Sequence, residues 1–474
     1  MDTIAAIATP VGTSGIGIVR ISGPRAIEIA SRLFRSGRGS PDGFATHTAH
    51  HGTLVHPQTD EAIDEVVLTV FRAPSSYTGE DVVEFSCHGG IAILRSALNV
   101  ALECGARLAE PGEFTKRAFL NGRIDLAQAE AVNDLIRART DGARRVALSQ
   151  LDGALSASVH EAREQVLSVI AAIEAAIDFP DDVDEPDRAW LESEIGTARE
   201  SVASLLATFG KGRIYREGLR VVIAGRVNVG KSSLLNALLR HARAIVTPIP
   251  GTTRDVIEES LEIQGIPIVA LDTAGLRSTD DPIERIGVEL AERSLESADL
   301  ILLVVDVSEG VSREDLELLE RFEDKPAIAV LNKIDLLPEE ARGLETEEYV
   351  GRLGRSLPAV QTCASSGQGI EELEGAIARA ALRPSTGSGR ARDGALSGDL
   401  GEEAAVVANI RHQQALRSAL DSIDHALETL AAPRPIDLLS VDLTSARNSL
   451  GLITGETASD DLLDRIFSQF CIGK

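Results

Sequence analysis

Gly225-Arg226-Val227-Asn228-Val229-Gly230-Lys231-Ser232 is the stretch on which the fold of this chain turns. Its spacing is G-x-x-x-x-G-K-S. It follows a continuous apolar run, residues 221–224, and opens a segment of helical periodicity, which is the strand–loop–helix context the spacing needs. Glycines let backbone N–H groups close around phosphate oxygens, and the start of the following helix adds the positive end of its dipole. Lys231 is expected to reach the β- and γ-phosphates of a nucleotide and Ser232 to hold Mg²⁺. Val229, Gly230 and Ser233 complete the cradle. The bland alternative is a glycine-rich turn with a structural lysine, and the motifs downstream argue against it.

Downstream, Asp272-Thr273-Ala274-Gly275 follows the strand-like residues 266–271. An Asp there can hold the Mg²⁺ shell, and the Gly275 N–H can sense a γ-phosphate. Taken alone, D-x-x-G describes a simple turn equally well. Asn332-Lys333-Ile334-Asp335 closes another apolar run, 327–331. The Asp335 carboxylate can accept hydrogen bonds from the N1–H and 2-amino groups of guanine, a donor pair that adenine lacks. A wrong base leaves that carboxylate unpaired, at a cost of about 1–3 kcal/mol. Cys363-Ala364-Ser365 then resembles the loop that backs the base in GTPases, with Cys363 where serine is usual. Four segments in this order predict a GTPase. The runs 221–224, 300–305 and 327–331 lack alternation, so they predict a mostly parallel sheet with both faces covered, a Ras-like α/β P-loop domain.

The segments around this domain read differently. Residues 16–21, 65–71 and 81–87 have strand character, and 24–34 and 91–103 helical character, giving an α+β domain over 1–121. Apolar residues at three- and four-residue spacing dominate 122–218, broken at Phe179-Pro180-Asp181-Asp182, and return over 402–474. The expected arrangement is one discontinuous α-helical domain interrupted by the G domain, residues 219–382. The Gly-, Ser-, Pro- and Arg-rich residues 383–401 read as a flexible linker.

Bulk properties bound the function. At 474 residues, roughly three domains are expected. The acidic start Met1-Asp2-Thr3 is unlike a signal peptide, and no apolar run is long enough to cross a bilayer; both point to a cytoplasmic protein. Four cysteines without a C-x-x-C pair exclude the common zinc and redox motifs. A net charge of −26 and a pI of about 4.8 repel nucleic acid globally, so any RNA contact needs a local basic patch or a basic partner. His50-His51 has no carboxylates at metal-ligand spacing and reads as surface.

Hydrolysis presents a gap. The residue after D-x-x-G is Leu276, where Ras-like switches carry the water-orienting Gln. No arginine finger is evident. Asn228, inside the phosphate loop, can ligate a monovalent cation, and carbonyls of Val246-Thr247-Pro248-Ile249-Pro250-Gly251-Thr252-Thr253-Arg254-Asp255 can complete its shell. Such a cation neutralises charge as an arginine finger does. Thr253 takes the switch position on Mg²⁺. Glu284 can orient water, although its spacing alone is that of an exposed acid at a helix start.

Three further stretches carry a resemblance: Asp2-Thr3-Ile4 through Gly15-Ile16-Gly17-Ile18-Val19-Arg20-Ile21-Ser22-Gly23; Pro111-Gly112-Glu113-Phe114 through Ala118-Phe119-Leu120-Asn121-Gly122-Arg123-Ile124-Asp125-Leu126-Ala127-Gln128-Ala129-Glu130; and Ile453-Thr454-Gly455-Glu456 through Phe470-Cys471-Ile472-Gly473-Lys474. Over essentially its whole length the chain resembles the MnmE (TrmE) family of bacterial tRNA-modification GTPases. The resemblance implies K⁺ ligation by Asn228, Thr247, Ile249 and Thr252, and Mg²⁺ ligation by Ser232 and Thr253. It assigns Glu284 as the catalytic glutamate. Pro248 and Pro250 depart from the commoner Asp and Ala. It implies that Arg20, Glu84, Arg123 and Lys474 bind a formyl- or methylene-tetrahydrofolate in the N-terminal domain. Arg123 replaces a family Lys, keeping charge but not geometry. Cys471 is either a nucleophile in one-carbon transfer or a small apolar residue beside the ligand. The resemblance also implies a homodimer through the N-terminal domains and a flavin-dependent MnmG-type partner in a heterotetramer. The implied reaction adds a carboxymethylaminomethyl or aminomethyl group to C5 of the wobble uridine of certain tRNAs. The rival reading is a ribosome-assembly GTPase of the Era or Der type, whose RNA-binding appendages the N-terminal domain does not resemble.

Overall fold

Alternation of buried and exposed side chains organises the first layer of the computed structural model, which describes residues 2–37, 39–244, 258–272, 296–337, 346–382, 405–432 and 435–474. The expected linker, 383–401, lies outside these. Contacts divide the chain into two compact units, Met1–Asn133 with Thr444–Lys474, and Asp134–Leu443.

The first unit is built on seven strands: β1 (Ile4–Ile7), β2 (Ser14–Ser22), β3 (Phe34–Arg35), β4 (Thr48–Val55), β5 (Ala62–Phe71), β6 (Val82–Gly89) and β7 (Arg107–Leu108), in the spatial order β3-β4-β5-β6-β2-β1-β7. All pairings are antiparallel except β1 with β7. Val19 and Ile21 of β2 and Val83, Phe85 and Cys87 of β6 point into one core with the helices Ala26–Leu33 and Ile91–Glu103. Side chains alternate along a strand, so the residues between them, Arg20 and Glu84, share the other face. They are also register partners across β2 and β6. A second, smaller core joins Leu126 to Leu463, Ile466, Phe467 and Phe470, so the helix Asp460–Phe467 closes the unit begun by residues far earlier in the chain. Burying each of those aromatic side chains contributes roughly 1.5–3 kcal/mol.

In the second unit, β8 (Leu219–Ala224), β9 (Arg243–Ala244), β10 (Glu258–Ile263), β11 (Ile266–Asp272), β12 (Leu300–Asp306), β13 (Ala327–Asn332) and β14 (Ala359–Thr362) form a sheet in the order β14-β13-β12-β8-β11-β10-β9. The five strands from β14 to β11 are parallel; β10 and β9 are antiparallel additions at the edge. The unalternating apolar runs have the cause expected of them. Val221 and Ile223 enter one core, Val222 and Ala224 the opposite one, and β12 divides in the same way. Long helices Ala154–Asp178, Arg188–Ala207 and Ile410–Ala431 complete this unit, and the break at Phe179 falls between the first two. The last two are joined by the Arg199–Asp424 ion pair at 2.5 Å and by Arg188 Nη1 donating to the Leu430 carbonyl. The chain thus leaves the helical layer at Gly218 and re-enters it after β14 and the helix Ile370–Ala381, so the α/β domain is an insertion.

Candidate nucleotide-binding and hydrolysis site

The carboxyl ends of β8, β12, β13 and β14 gather four loops at one edge, the usual place for a ligand on an open α/β sheet. Gly230, at φ +99°, caps the helix Lys231–His241, whose first N–H groups have no partners within the helix. Two neighbours make the glycines obligatory. A Cβ on Gly225 would lie 2.5 Å from the Val304 carbonyl, and one on Gly230 would collide with the Asn332 amide. Lys231 Nζ donates to the Gly225 and Arg226 carbonyls at 2.9 and 2.7 Å, which holds the ammonium across the loop it is expected to serve. Asn228 (φ +66°) is exposed on the same loop, and Ser232 and Ser233 are exposed in the first turn of that helix. A glycine-lined loop, an ammonium at its mouth and a hydroxyl at the helix start fit a nucleotide's phosphates and a divalent cation.

Asn332 joins three of the motifs. Its buried Nδ2 donates to the Val229 carbonyl at 2.9 Å, while its Oδ1 accepts from the Ala364 N–H at 3.1 Å and the Thr362 hydroxyl at 3.3 Å. The phosphate loop, the end of β13 and the Cys363-Ala364-Ser365 loop are therefore held by one amide. Cys363 N–H donates to the Gln368 carbonyl, and its buried thiol lies 3.1 Å from the Ser365 hydroxyl, so the departure from serine leaves the loop closed. Ile334 is buried and Asp335 exposed, on a 3-10 turn that Lys333 opens at φ +66°.

Sequence reading missed the loop after β12. Arg226, inside the phosphate loop, is fastened there by Asp315 at 3.2 Å, Glu309 at 3.1 Å and the Gly310 carbonyl. Asp315 is wholly buried and also closes a capping box with Ser312 at the start of the helix Arg313–Glu320. The capping pattern S-x-x-D was legible; the partner of Asp315, far away in sequence, was not.

Several expected site residues lie outside the described residues: Thr247, Pro248, Ile249, Pro250, Gly251, Thr252 and Thr253; Thr273, Ala274 and Gly275; and Glu284. Asp272 ends β11, with its backbone in register with Ile223 next to the phosphate loop.

The first unit holds a separate cluster. Arg20 Nε donates to Glu84 Oε1 at 2.7 Å, and Nη1 to the Gly473 carbonyl at 3.2 Å. The Arg20 guanidinium also lies 5.5 Å from both the Tyr77 and Phe114 ring centroids. Gly473, at φ +94°, comes so close to the Ile7 carbonyl that a Cβ would collide. Residues 471–474 are thereby brought to Arg20 and Glu84. Burial, then the nearby Arg20 charge, push the Lys474 ammonium below the usual lysine range. Cys471 is exposed. Arg123 is exposed beside Gly79, and Asn121 Nδ2 donates to the Thr78 carbonyl in the same turn.

A glycine loop between β8 and a helix, a base motif at the end of β13 and a parallel sheet that aligns them define a P-loop GTPase of the Ras-like class. Residues 3–123 match the family described as GTP-binding protein TrmE N-terminus, and residues 126–471 the one described as MnmE helical domain. Full-length relatives agree. The tRNA modification GTPase MnmE of Bacillus pumilus (strain SAFR-032) is 48% identical over 477 residues, covering 100% of both chains. That of Bacillus subtilis (strain 168) is 47% identical with the same coverage, and that of Acetivibrio thermocellus 44% identical over 100% of this chain and 99% of its own. This chain belongs to the MnmE family, and it is a GTPase of tRNA modification. Among the described residues no helix is long and apolar enough to cross a membrane.

Proposed function

We propose that this protein is a K⁺-stimulated GTPase which, as a cytoplasmic homodimer with a flavin-dependent MnmG-type partner, installs a carboxymethylaminomethyl or aminomethyl group at C5 of the wobble uridine of certain tRNAs. A tetrahydrofolate derivative supplies the one-carbon unit. The observation that carries the folate part is the convergence of Arg20, Glu84 and residues 471–474 beside Tyr77 and Phe114. A carboxylate there can take the amino-pyrimidine edge of the pterin, and Arg20, Arg123 and Lys474 can meet the carboxylates of the folate's glutamate end. Cys471 serves either as a nucleophile or as a wall of that site.

In the G domain, Lys231 would hold the β- and γ-phosphates, Ser232 and Thr253 Mg²⁺, and Asp335 the guanine. Asn228, Thr247, Ile249 and Thr252 would hold K⁺, which offsets the charge an arginine finger would otherwise meet. Glu284 would orient the water in place of the absent Gln. Equal turnover in KCl and NaCl would remove the cation assignment. The reading as a whole is tested by mass spectrometry of tRNA nucleosides from a strain lacking the protein. Loss of the modified uridine, restored by the wild type but not by Asp335→Asn or Glu284→Ala, is the expected result; an unchanged profile refutes it.

A further inference from the structure

The end of β12 carries a carboxylate that the four nucleotide motifs do not include. Asp306 is the register partner of Asn332 across β12 and β13, so the two strand ends present adjacent side chains. Its side chain is 3% exposed, and a carboxylate so buried is costly unless fully paired. Both oxygens are used. Oδ2 meets Lys333 Nζ at 2.6 Å, while Oδ1 accepts from the Ser308 N–H at 3.0 Å and the Ser308 hydroxyl at 2.6 Å. Ser308 thus fixes the carboxylate, and the carboxylate fixes an ammonium whose side chain is still 30% exposed. A lysine stem is otherwise free to sample many rotamers, and ordering it in advance removes that cost from binding.

We propose that Asp306 is a positioning residue for guanine-nucleotide binding: it holds Lys333 in the conformation in which the base motif receives its ligand. This rests on the reading of Asn332–Asp335 as the base site. Burial opposes the Asp306 charge, but the hydrogen bonds from Lys333 and Ser308 outweigh it and keep the carboxyl below its ordinary range, so Asp306 is a carboxylate at neutral pH.

The test is a fluorescent-GDP titration of the full chain in four forms: wild type, Asp306→Asn, Lys333→Ala and the double variant. Losing a charge-assisted contact of this kind is expected to weaken GDP binding about tenfold in either single variant. The double variant should bind no more weakly than Lys333→Ala alone, because both changes remove one device. The loss should appear in the KM for GTP more than in kcat. Additive losses, or unchanged affinity in Asp306→Asn, overturn the proposal. Wild-type affinity in Lys333→Ala instead overturns the base-site reading beneath it. Should Asp306→Asn fail to fold, Ser308→Ala carries the test. It is expected to weaken GDP binding about threefold, with no further effect in the Lys333→Ala background, and unchanged affinity in Ser308→Ala refutes the idea.

Discussion

Replacing Asn332 by alanine removes three contacts at once: the donor to Val229 and the acceptor for Ala364 and Thr362. At about 1 kcal/mol net for each buried hydrogen bond, the three together order the site by about 3 kcal/mol. Without them the phosphate loop and the Cys363–Ser365 loop are free to part. A site that is correctly formed only a fraction of the time binds more weakly by that fraction. If the whole 3 kcal/mol is lost to disorder, GDP affinity falls about 100-fold, which is the ceiling. Partial rebuilding by water brings the expectation to between about tenfold and 100-fold. Thr362→Val removes only the longest of the three contacts and should cost at most about 1 kcal/mol, or roughly fivefold. Both are measured by fluorescent-GDP titration of the full chain, with circular dichroism confirming the fold. A change of less than threefold in Asn332→Ala, or an equal effect of the two variants, would show that Asn332 does not join the motifs.

Gly230→Ala should abolish measurable GTP binding, because its Cβ collides with Asn332 and φ +99° is strained for alanine; turnover above a tenth of wild type would refute this. Thiol labelling of the native protein with a maleimide should modify Cys471 rapidly and leave Cys87, Cys104 and Cys363, all buried, unmodified until unfolding. Burial pushes the Cys87 thiol up to about 12, so it is also almost entirely protonated at neutral pH. Acid should weaken the first unit through Asp2, whose carboxyl is lowered to about 2 mainly by the hydrogen bond from Arg107. A depressed carboxyl stabilises the folded state above its unfolded value of 3.8, and that contribution disappears as pH falls toward 2. The difference in thermal midpoint between wild type and Arg107→Gln should therefore be present at pH 6 and shrink below about pH 4; a pH-independent difference would contradict it.

The parts of the fold that were legible in the sequence are those whose pattern is local. Strand, glycines and helix start lie side by side in 219–232, and the runs 221–224, 300–305 and 327–331 are apolar without a break because both faces are covered. The strand β10 reads Glu-Glu-Ser-Leu-Glu-Ile, too polar to announce itself, and is held between β11 and β9. In β4, His50 stacks on Phe44 of the preceding loop at 3.5 Å and His51 pairs with Glu65 of β5 at 2.9 Å; neither contact left a signal in the sequence. Arg117, on the helix Glu113–Leu120, is buried and bound to Asp2, Glu80 and Glu113, partners that no local pattern announces. The brace from Arg226 to Asp315 and the contact from Arg20 to Gly473 were hidden for the same reason: each joins residues that only tertiary structure brings together.

The closure of the first unit by Thr444–Lys474 sets an order of events during synthesis. Residues 1–133 leave the ribosome first, with Phe119 and Leu126 still lacking Phe467 and Phe470. The entire G domain is made in between. At about 5–20 residues per second the wait is on the order of tens of seconds. Throughout it an apolar surface of a nearly finished domain stands open to water and to other nascent chains. A product cut short anywhere after the G domain would carry a complete nucleotide site on a first unit that never closes, and quality control could read that open surface as the mark of an unfinished chain.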